Sequence, residues 1–308
     1  MESFNRTGNL FGFHFCESEN DILCALLYVF LGSLTAVTIC GNLLVIISII
    51  YFKQLHTPTN YLILSLALSD LLIGALIFPF TMSISITSCL SRYSLSCKIR
   101  DSLDTLVSFA SLLNLFCVAI DRYYAVCQPL IYKTKVTGNV ALMMCLGSWV
   151  ISLFFVFYQM IINYGVCEGE CFGFLLFVCF SFYLPAVILV CIYLKILIVA
   201  QRQGRSIQNA MHQSVQIVSK KERKATKTLA MVMGLFLLCW LPLFILYPFQ
   251  YFSYIIMHLL EPFNWFAIAN SMFNPFIYGF FYSWFRSAFR MIISGKIFQG
   301  NYVNIKLH

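Results

Sequence analysis

The chain has 308 residues, of which 60% are hydrophobic and only 10% are charged. This apolar fraction exceeds that of soluble globular domains and excludes them as a class. The net charge of +8 arises from basic residues in short connecting segments, and no compact basic domain indicates a nucleic-acid partner. We therefore predict an all-α membrane protein that binds no nucleic acid.

Seven apolar segments, called spans one to seven, are each near or above the length that crosses a bilayer. They occupy residues 22–51, 60–87, 102–120, 140–162, 172–200, 229–256 and 262–281. The pattern predicts a seven-transmembrane helix bundle. An odd number of spans places the two termini on opposite sides of the membrane.

Basic residues set the orientation, because cytoplasmic loops carry an excess of lysine and arginine. Sixteen of the 20 basic residues fall on one set of loops and termini, and the other set carries only Arg6, Arg92, Lys98 and Arg100. We therefore predict a multi-pass plasma membrane protein with its amino terminus outside. Residues 1–21 are predicted to form the extracellular amino terminus, 22–281 the bundle, and 282–308 an eighth helix and the cytoplasmic carboxyl terminus.

The predicted eighth helix, from Tyr282 to Ile293, is short and amphipathic. Its aromatic residues are spaced to share one face, and arginines interrupt them at positions 286 and 290. Such a helix lies in the interface of membrane lipid with its apolar face buried.

Asp104 is a single carboxylate within apolar span three. The helical rise places it about 26 Å from Asp121, so Asp104 lies near the outer face and Asp121 with Arg122 at the inner end. Span three has no basic residue one turn below Asp104, and an uncompensated buried carboxylate costs several kcal/mol. We predict that a cationic ligand compensates it, with Thr105 as a further contact. Neighbouring hydroxyls or waters are the alternative.

Six of the 13 cysteines lie on the predicted outer side, where the compartment is oxidising. They are Cys16, Cys24, Cys89, Cys97, Cys167 and Cys171. Spacing alone fixes none of their pairings. Asn5 begins an Asn-Arg-Thr sequon, which predicts glycosylation outside the cell.

Motifs on all seven spans, in order, resemble the rhodopsin-like receptors that couple to G proteins. They are Gly41-Asn42, Leu66-Ala67-Leu68-Ser69-Asp70, Asp121-Arg122-Tyr123, Trp149, Pro185 with Tyr193, Cys239-Trp240-Leu241-Pro242 and Asn274-Pro275-Phe276-Ile277-Tyr278. Any one motif is weak, but the ordered set covers the chain and is very specific.

Two runs, at residues 121–130 and 270–285, look like those of the trace amine-associated receptors, the vertebrate chemosensory amine receptors. The resemblance implies that Asp104 anchors an amine and that a G protein of the stimulatory type raises cAMP. A serotonin-type amine receptor is the alternative within the class. A transporter or channel is the alternative outside it, and the absence of internal repeats argues against one. No motif of an enzyme is present.

The same resemblance assigns the walls of a ligand pocket. Trp240 and Phe244 would contact the apolar body of the ligand, with Phe236 one turn below. The alternative is a plain core stripe, because the same spacing describes any buried helix face. Span five carries Phe177 where catecholamine receptors carry serine, which leaves Ser181 as its hydroxyl and argues against catecholamines.

Span seven offers a second acidic group. Glu261, Asn264 and Ile268 fall at i, i+3 and i+7 on one helical face, and Glu261 is a candidate for the second amine of a diamine or polyamine. Asp101, one turn above Asp104 on span three, is a further candidate for that amine. The alternative is a solvated charge, or an ion pair with Arg92, Lys98 or Arg100. Many amine receptors carry tyrosine where this chain has Ile268.

The resemblance also implies two disulfides. Cys97 would pair with Cys171, and Cys167 with Cys16, with Cys24 as the competing partner of Cys167.

Beneath the pocket, the resemblance implies an allosteric sodium site. Its oxygen ligands would come from Asp70, Ser111, Asn270, Ser271 and Asn274. A water cluster is the alternative. No other cofactor is predicted.

At the inner end, Arg122 is predicted to pair with Asp121 and with Glu222 at the base of span six. Breaking the second pair would let span six, with Phe236 on it, swing about the kink at Pro242. Two tyrosines would then hold the form that accepts a G protein. They are Tyr193 and Tyr278.

Overall fold

The structure is a computed structural model that describes residues 21–87, 95–164, 179–208, 231–249 and 254–298. Within these ranges the chain forms helices and short turns, with no β-strand. The helices are α1 (Asp21–Tyr51), α2 (Pro58–Leu72), α3 (Phe78–Thr87), α4 (Leu95–Cys127), α5 (Pro129–Lys135), α6 (Gly138–Tyr164), α7 (Leu184–Gln208), α8 (Met231–Leu246), α9 (Tyr254–Ile268), α10 (Asn270–Phe281) and α11 (Ser283–Ile293).

The seven predicted spans correspond to these helices in order. Spans one, three, four, five and six are α1, α4, α6, α7 and α8, whereas span two joins α2 to α3 and span seven joins α9 to α10. Four described helices are long and apolar enough to cross a membrane: Tyr28–Tyr51, Pro58–Met82, Lys98–Cys127 and Gly138–Ile161. Leu184–Val199 and Met231–Leu246 are shorter apolar helices.

The predicted boundary between spans six and seven is wrong. Span six was expected to reach residue 256, but α8 ends at Leu246, a 3₁₀ turn covers Tyr247–Phe249, and Tyr254 already begins α9. Pro248 lies in that turn and has no N–H to continue the helix. The sequence is apolar on both sides of the turn, so hydropathy alone did not locate the break.

Two spans widen into π-helical turns before a proline. Ile73–Ile77 precedes Pro79 in span two, and Cys179–Tyr183 precedes Pro185 in span five. The proline ring clashes with the carbonyl of the preceding turn, and a wider turn relieves this clash. The turn in span five sets the directions of the aromatic side chains at its end.

Span three is the centre of the bundle and packs against spans two, four and five. Its buried apolar residues join those of the other spans in one continuous core, which includes Val45, Leu66, Leu112, Leu115, Ala119, Leu189, Val232, Phe236 and Ile277. Burial of this core places the polar side chains of span three against specific partners on its neighbours.

The predicted amphipathic eighth helix is confirmed as α11. Phe285 and Ala288 are buried on one face, and Arg290 is exposed on the other. Ala288 packs with Phe52 and Leu55, which follow span one. The helix is thereby fixed against the inner end of the bundle.

Candidate functional site

Asp104 is half-buried in the outer part of span three. The Ser108 hydroxyl, one turn deeper, donates to its Oδ1 at 3.2 Å. Among the described residues this is the one side-chain hydrogen bond that Asp104 receives. An ionised carboxylate accepts about four hydrogen bonds, so most of its capacity is open to a further donor.

A cation lies one helical turn outside Asp104 on the same helix. Arg100 Nη1 is 3.1 Å from Asp101 Oδ1, with the two side chains 20% and 43% exposed. Arg100 also attracts the Asp104 carboxylate, since residues i and i+4 of a helix share a face. From the sequence, Arg100 was expected as a candidate partner of Glu261 and not as a neighbour of Asp104. Arg100 is therefore shared between Asp101, which it contacts directly, and the deeper Asp104 carboxylate.

The predicted aromatic residues of span six form a connected stack. The Phe236 and Trp240 ring centroids are 5.8 Å apart, as are those of Trp240 and Phe244. Span five adds Phe182, whose ring lies 3.8 Å from that of Phe244 with an interplanar angle of 6°. The Tyr183 hydroxyl donates to the Phe244 carbonyl at 2.9 Å. The outer ends of spans five and six are therefore joined at Phe244.

The two described side chains predicted on span seven differ in their burial. Ile268 is fully buried in an apolar cluster with Phe78 and Val107, and Trp265 packs against this cluster. Asn264, one turn further out, is half-buried, as is Thr105 on span three. Ile268 thus fills space between spans two, three and seven, where tyrosine would need a polar partner.

A buried polar centre lies around Asp70, which is fully enclosed. Asn274 Nδ2 donates to Asp70 Oδ2 at 2.6 Å, and Ser111 Oγ donates to Oδ1 at 3.4 Å. Ser271 and Asn270, which precede Asn274 on span seven, are also buried. The amide oxygens of Asn270 and Asn274 are buried, and neither has a hydrogen-bond partner among the described residues. A carboxylate, hydroxyls and open amide oxygens fit a small hard cation such as sodium.

A second buried network closes the inner end of span three. Asp121 Oδ2 accepts hydrogen bonds from Arg122 Nε and from the Thr59 hydroxyl, each at 2.8 Å. Its Oδ1 accepts one from the Tyr132 hydroxyl, also at 2.8 Å. Arg122 Nη2 donates to Thr59 as well. The predicted pairing of Asp121 with Arg122 is confirmed, and both side chains are buried within the bundle.

Tyr132 lies on α5, outside the spans, and supplies one of those donors. Burial, together with the negative charge of Asp121, raises the pKa of the Tyr132 phenol above its usual value. The hydroxyl therefore keeps its proton at neutral pH and remains a hydrogen-bond donor to the carboxylate.

The two tyrosines predicted to act in the switch are both buried. Tyr193 on span five and Tyr278 on span seven are 6% and 1% exposed. The Tyr278 ring stacks on Phe285 of α11, with centroids 5.6 Å apart. Its hydroxyl has no hydrogen-bond partner among the described residues.

Comparison with known proteins identifies the family. A model of the 7 transmembrane receptor (rhodopsin family) matches residues 41–278. Trace amine-associated receptor 1 of Macaca mulatta is 41% identical over 319 residues, which cover 94% of this chain and 93% of the relative. Trace amine-associated receptor 4 of Mus musculus is 39% identical over 314 residues, or 93% and 90% of the two chains.

The chain belongs to the trace amine-associated receptors. Trace amine-associated receptor 2 of Homo sapiens is also similar, with 41% identity over 300 residues that cover 90% of this chain and 84% of the relative. Family membership confirms the seven-helix receptor fold and the multi-pass plasma membrane location. It also excludes the enzyme and transporter alternatives, because the relatives are receptors.

Several predicted residues of this trace amine-associated receptor lie outside the described residues, so the interactions assigned to them stay predictions. They are Asn5, Cys16, Cys167, Cys171, Phe177 and Glu222. The backbone is described at three others, but their side chains are not: Cys97, Ser181 and Glu261. The two disulfides, the glycosylation and the Arg122 pair with Glu222 are therefore untested.

Four residues that make the contacts described above, at the two ends of the bundle of this receptor, were not predicted from the sequence. Thr59 and Tyr132 complete the network of Asp121, but they come from a helix start and a short loop helix, without any local pattern. Tyr183 follows the aromatic residue that stacks on span six. Arg100 did carry a signal, because positions i and i+4 of a helix share a face.

Proposed function

We propose that this trace amine-associated receptor is activated by protonated amines that bind at Asp104. The observation that carries the proposal is a half-buried carboxylate that receives one side-chain hydrogen bond from the described residues, and that donor is the neutral Ser108 hydroxyl. A protonated amine supplies a positive charge and up to three donors. The aromatic stack from Phe236 to Phe244 suits an apolar ligand body and adds cation–π attraction.

We further propose that the receptor couples to a stimulatory G protein, raises cAMP and serves a chemosensory, olfactory role. Membership of the trace amine-associated receptors is the only support for this coupling and this role. The test is cAMP output in transfected cells across aromatic monoamines, diamines and polyamines, repeated in cells that lack the stimulatory α-subunit. A response in the parent cells that disappears without that subunit supports the coupling. A response that persists assigns the receptor to another G protein.

We propose Glu261 as the second anchor for diamines and polyamines. Asp101, the other acidic candidate, already holds Arg100, and a second ammonium extending outward along span three meets that guanidinium. Glu261→Gln is therefore expected to raise the half-maximal concentration for 1,5-diaminopentane roughly tenfold, with 2-phenylethylamine unaffected. Dose–response curves at matched surface expression check this. Equal losses for both amines would remove Glu261 as a selective anchor.

We propose that the polar centre at Asp70 binds sodium and couples it to ligand affinity. The open amide oxygens of Asn270 and Asn274 support this. Replacing choline chloride by sodium chloride is expected to weaken binding of an activating amine about fivefold in the parent receptor. Asp70→Asn should abolish that difference, and Ser108→Ala, with a hydroxyl removed outside this centre, should retain it. A sodium effect of unchanged size in Asp70→Asn would favour the water cluster.

A further inference from the structure

Pro248 leaves one carbonyl of span six without its helical hydrogen bond. In a regular helix, the N–H of residue 248 would donate to the carbonyl of Phe244, but proline has no N–H. The Tyr183 hydroxyl of span five donates to this carbonyl instead, at 2.9 Å. This carbonyl is partly buried, and a carbonyl removed from water without a partner costs free energy. The Tyr183 side chain thus replaces a bond that the backbone of span six cannot make.

The residue that receives this bond is also held through its side chain. The rings of Phe244 and Phe182 stack at 3.8 Å, and Phe182 is 1% exposed. Phe182 and Tyr183 are consecutive residues at the end of the π-helical turn Cys179–Tyr183. This turn directs one side chain to the ring of Phe244 and the next to its carbonyl, so Phe244 is held at two points by span five.

Phe244 in turn contacts the residue at the centre of span six, because its ring lies 5.8 Å from that of Trp240. We propose that Tyr183 is a positioning residue of the ligand site. Its hydroxyl donates the hydrogen bond that Pro248 cannot donate to the Phe244 carbonyl, and it thereby fixes Phe244 against Trp240. The hydrogen bond itself is independent of any ligand. The positioning role rests on the proposed function, in which Phe244 contacts the amine's apolar body.

A double-mutant cycle tests the hydrogen bond without a ligand. Tyr183→Phe removes only the hydroxyl, and Pro248→Ala restores an N–H that can donate to the Phe244 carbonyl. Thermal unfolding of the purified full-length receptor can be followed with a dye that reacts with buried thiols, such as those of Cys145 and Cys239. Tyr183→Phe is expected to lower the melting temperature by about 3 °C in the parent and by less than about 1 °C in the Pro248→Ala background. Equal losses in both backgrounds, or no loss in either, would overturn the proposal.

Dose–response curves for 2-phenylethylamine, at matched surface expression, test the positioning role. Tyr183→Phe is expected to raise its half-maximal concentration about fivefold, and the double mutant should respond like Pro248→Ala alone. Unchanged potency in Tyr183→Phe, despite the thermal coupling, would overturn the positioning role. If no amine in the panel activates the parent receptor, the proposed function and the positioning role both fail, whereas the thermal cycle still decides the hydrogen bond.

Discussion

Asp104→Asn is expected to raise the half-maximal concentration of an activating monoamine by about 100-fold, at unchanged surface expression. The substitution keeps the size of the side chain and removes its charge. Loss of one partner from a partly buried charge pair costs about 2–5 kcal/mol, which corresponds to roughly 30- to several-thousand-fold in affinity. Ser108 can still donate to the amide oxygen, so the helix keeps its local hydrogen bond. The measurement is a cAMP dose–response curve.

Asp101→Asn is the matched control, because the same substitution is made three residues away on the same helix. Asp101 is 43% exposed and paired with Arg100, so its loss acts through solvent-screened charge. We expect a change of less than about fivefold. Similar losses in the two variants would mean that the total negative charge of the outer surface, not a specific anchor, attracts the amine.

The sequence predicted the helices far better than the contacts between them. Apolar segments and ordered motifs located all seven spans, because membrane helices must satisfy their backbone hydrogen bonds internally and therefore have a length set by the bilayer. The break at Pro248 was missed because apolar residues flank it on both sides. The proline was visible, but hydropathy carries no information about where a helix ends within an apolar run.

Residues that act on their own helix were easier to predict than residues that act across helices. The pair of Asp121 and Arg122 is adjacent in sequence and was predicted correctly. Thr59 reaches the same carboxylate from 62 residues away, and only the packing of span two against span three brings them together. Tyr183 likewise finds the Phe244 carbonyl across 61 residues. Such partners depend on tertiary geometry, which residue spacing along a single helix does not encode.

The network around Asp121 leads to the second large expected effect: Asp121→Asn should raise ligand-free cAMP about tenfold. The fully buried Asp121 carboxylate accepts hydrogen bonds from Arg122, Thr59 and Tyr132. These bonds hold the carboxylate in place, and the carboxylate holds the Arg122 guanidinium inside the bundle. We expect this arrangement to stabilise the resting receptor. Removing the charge takes away the ion pair, and a differential stability of about 1.4 kcal/mol changes the population of a minor active form tenfold. Basal cAMP per surface receptor measures this.

Graded variants separate loss of this network from general damage to the fold. Tyr132→Phe removes one donor but keeps its ring, so we expect a rise in basal cAMP that is smaller than that of Asp121→Asn. Tyr124→Phe removes a hydroxyl from a half-buried tyrosine of span three and should match the parent. A damaged fold lowers surface expression and cAMP together, whereas a weakened network raises cAMP per receptor moderately in Tyr132→Phe and more in Asp121→Asn, with Tyr124→Phe unchanged. Basal cAMP that stays at the parent level in all three would show that the pairing of Arg122 with Asp121 does not restrain activation. The restraint would then have to come from the predicted pair of Arg122 with Glu222 at the base of span six.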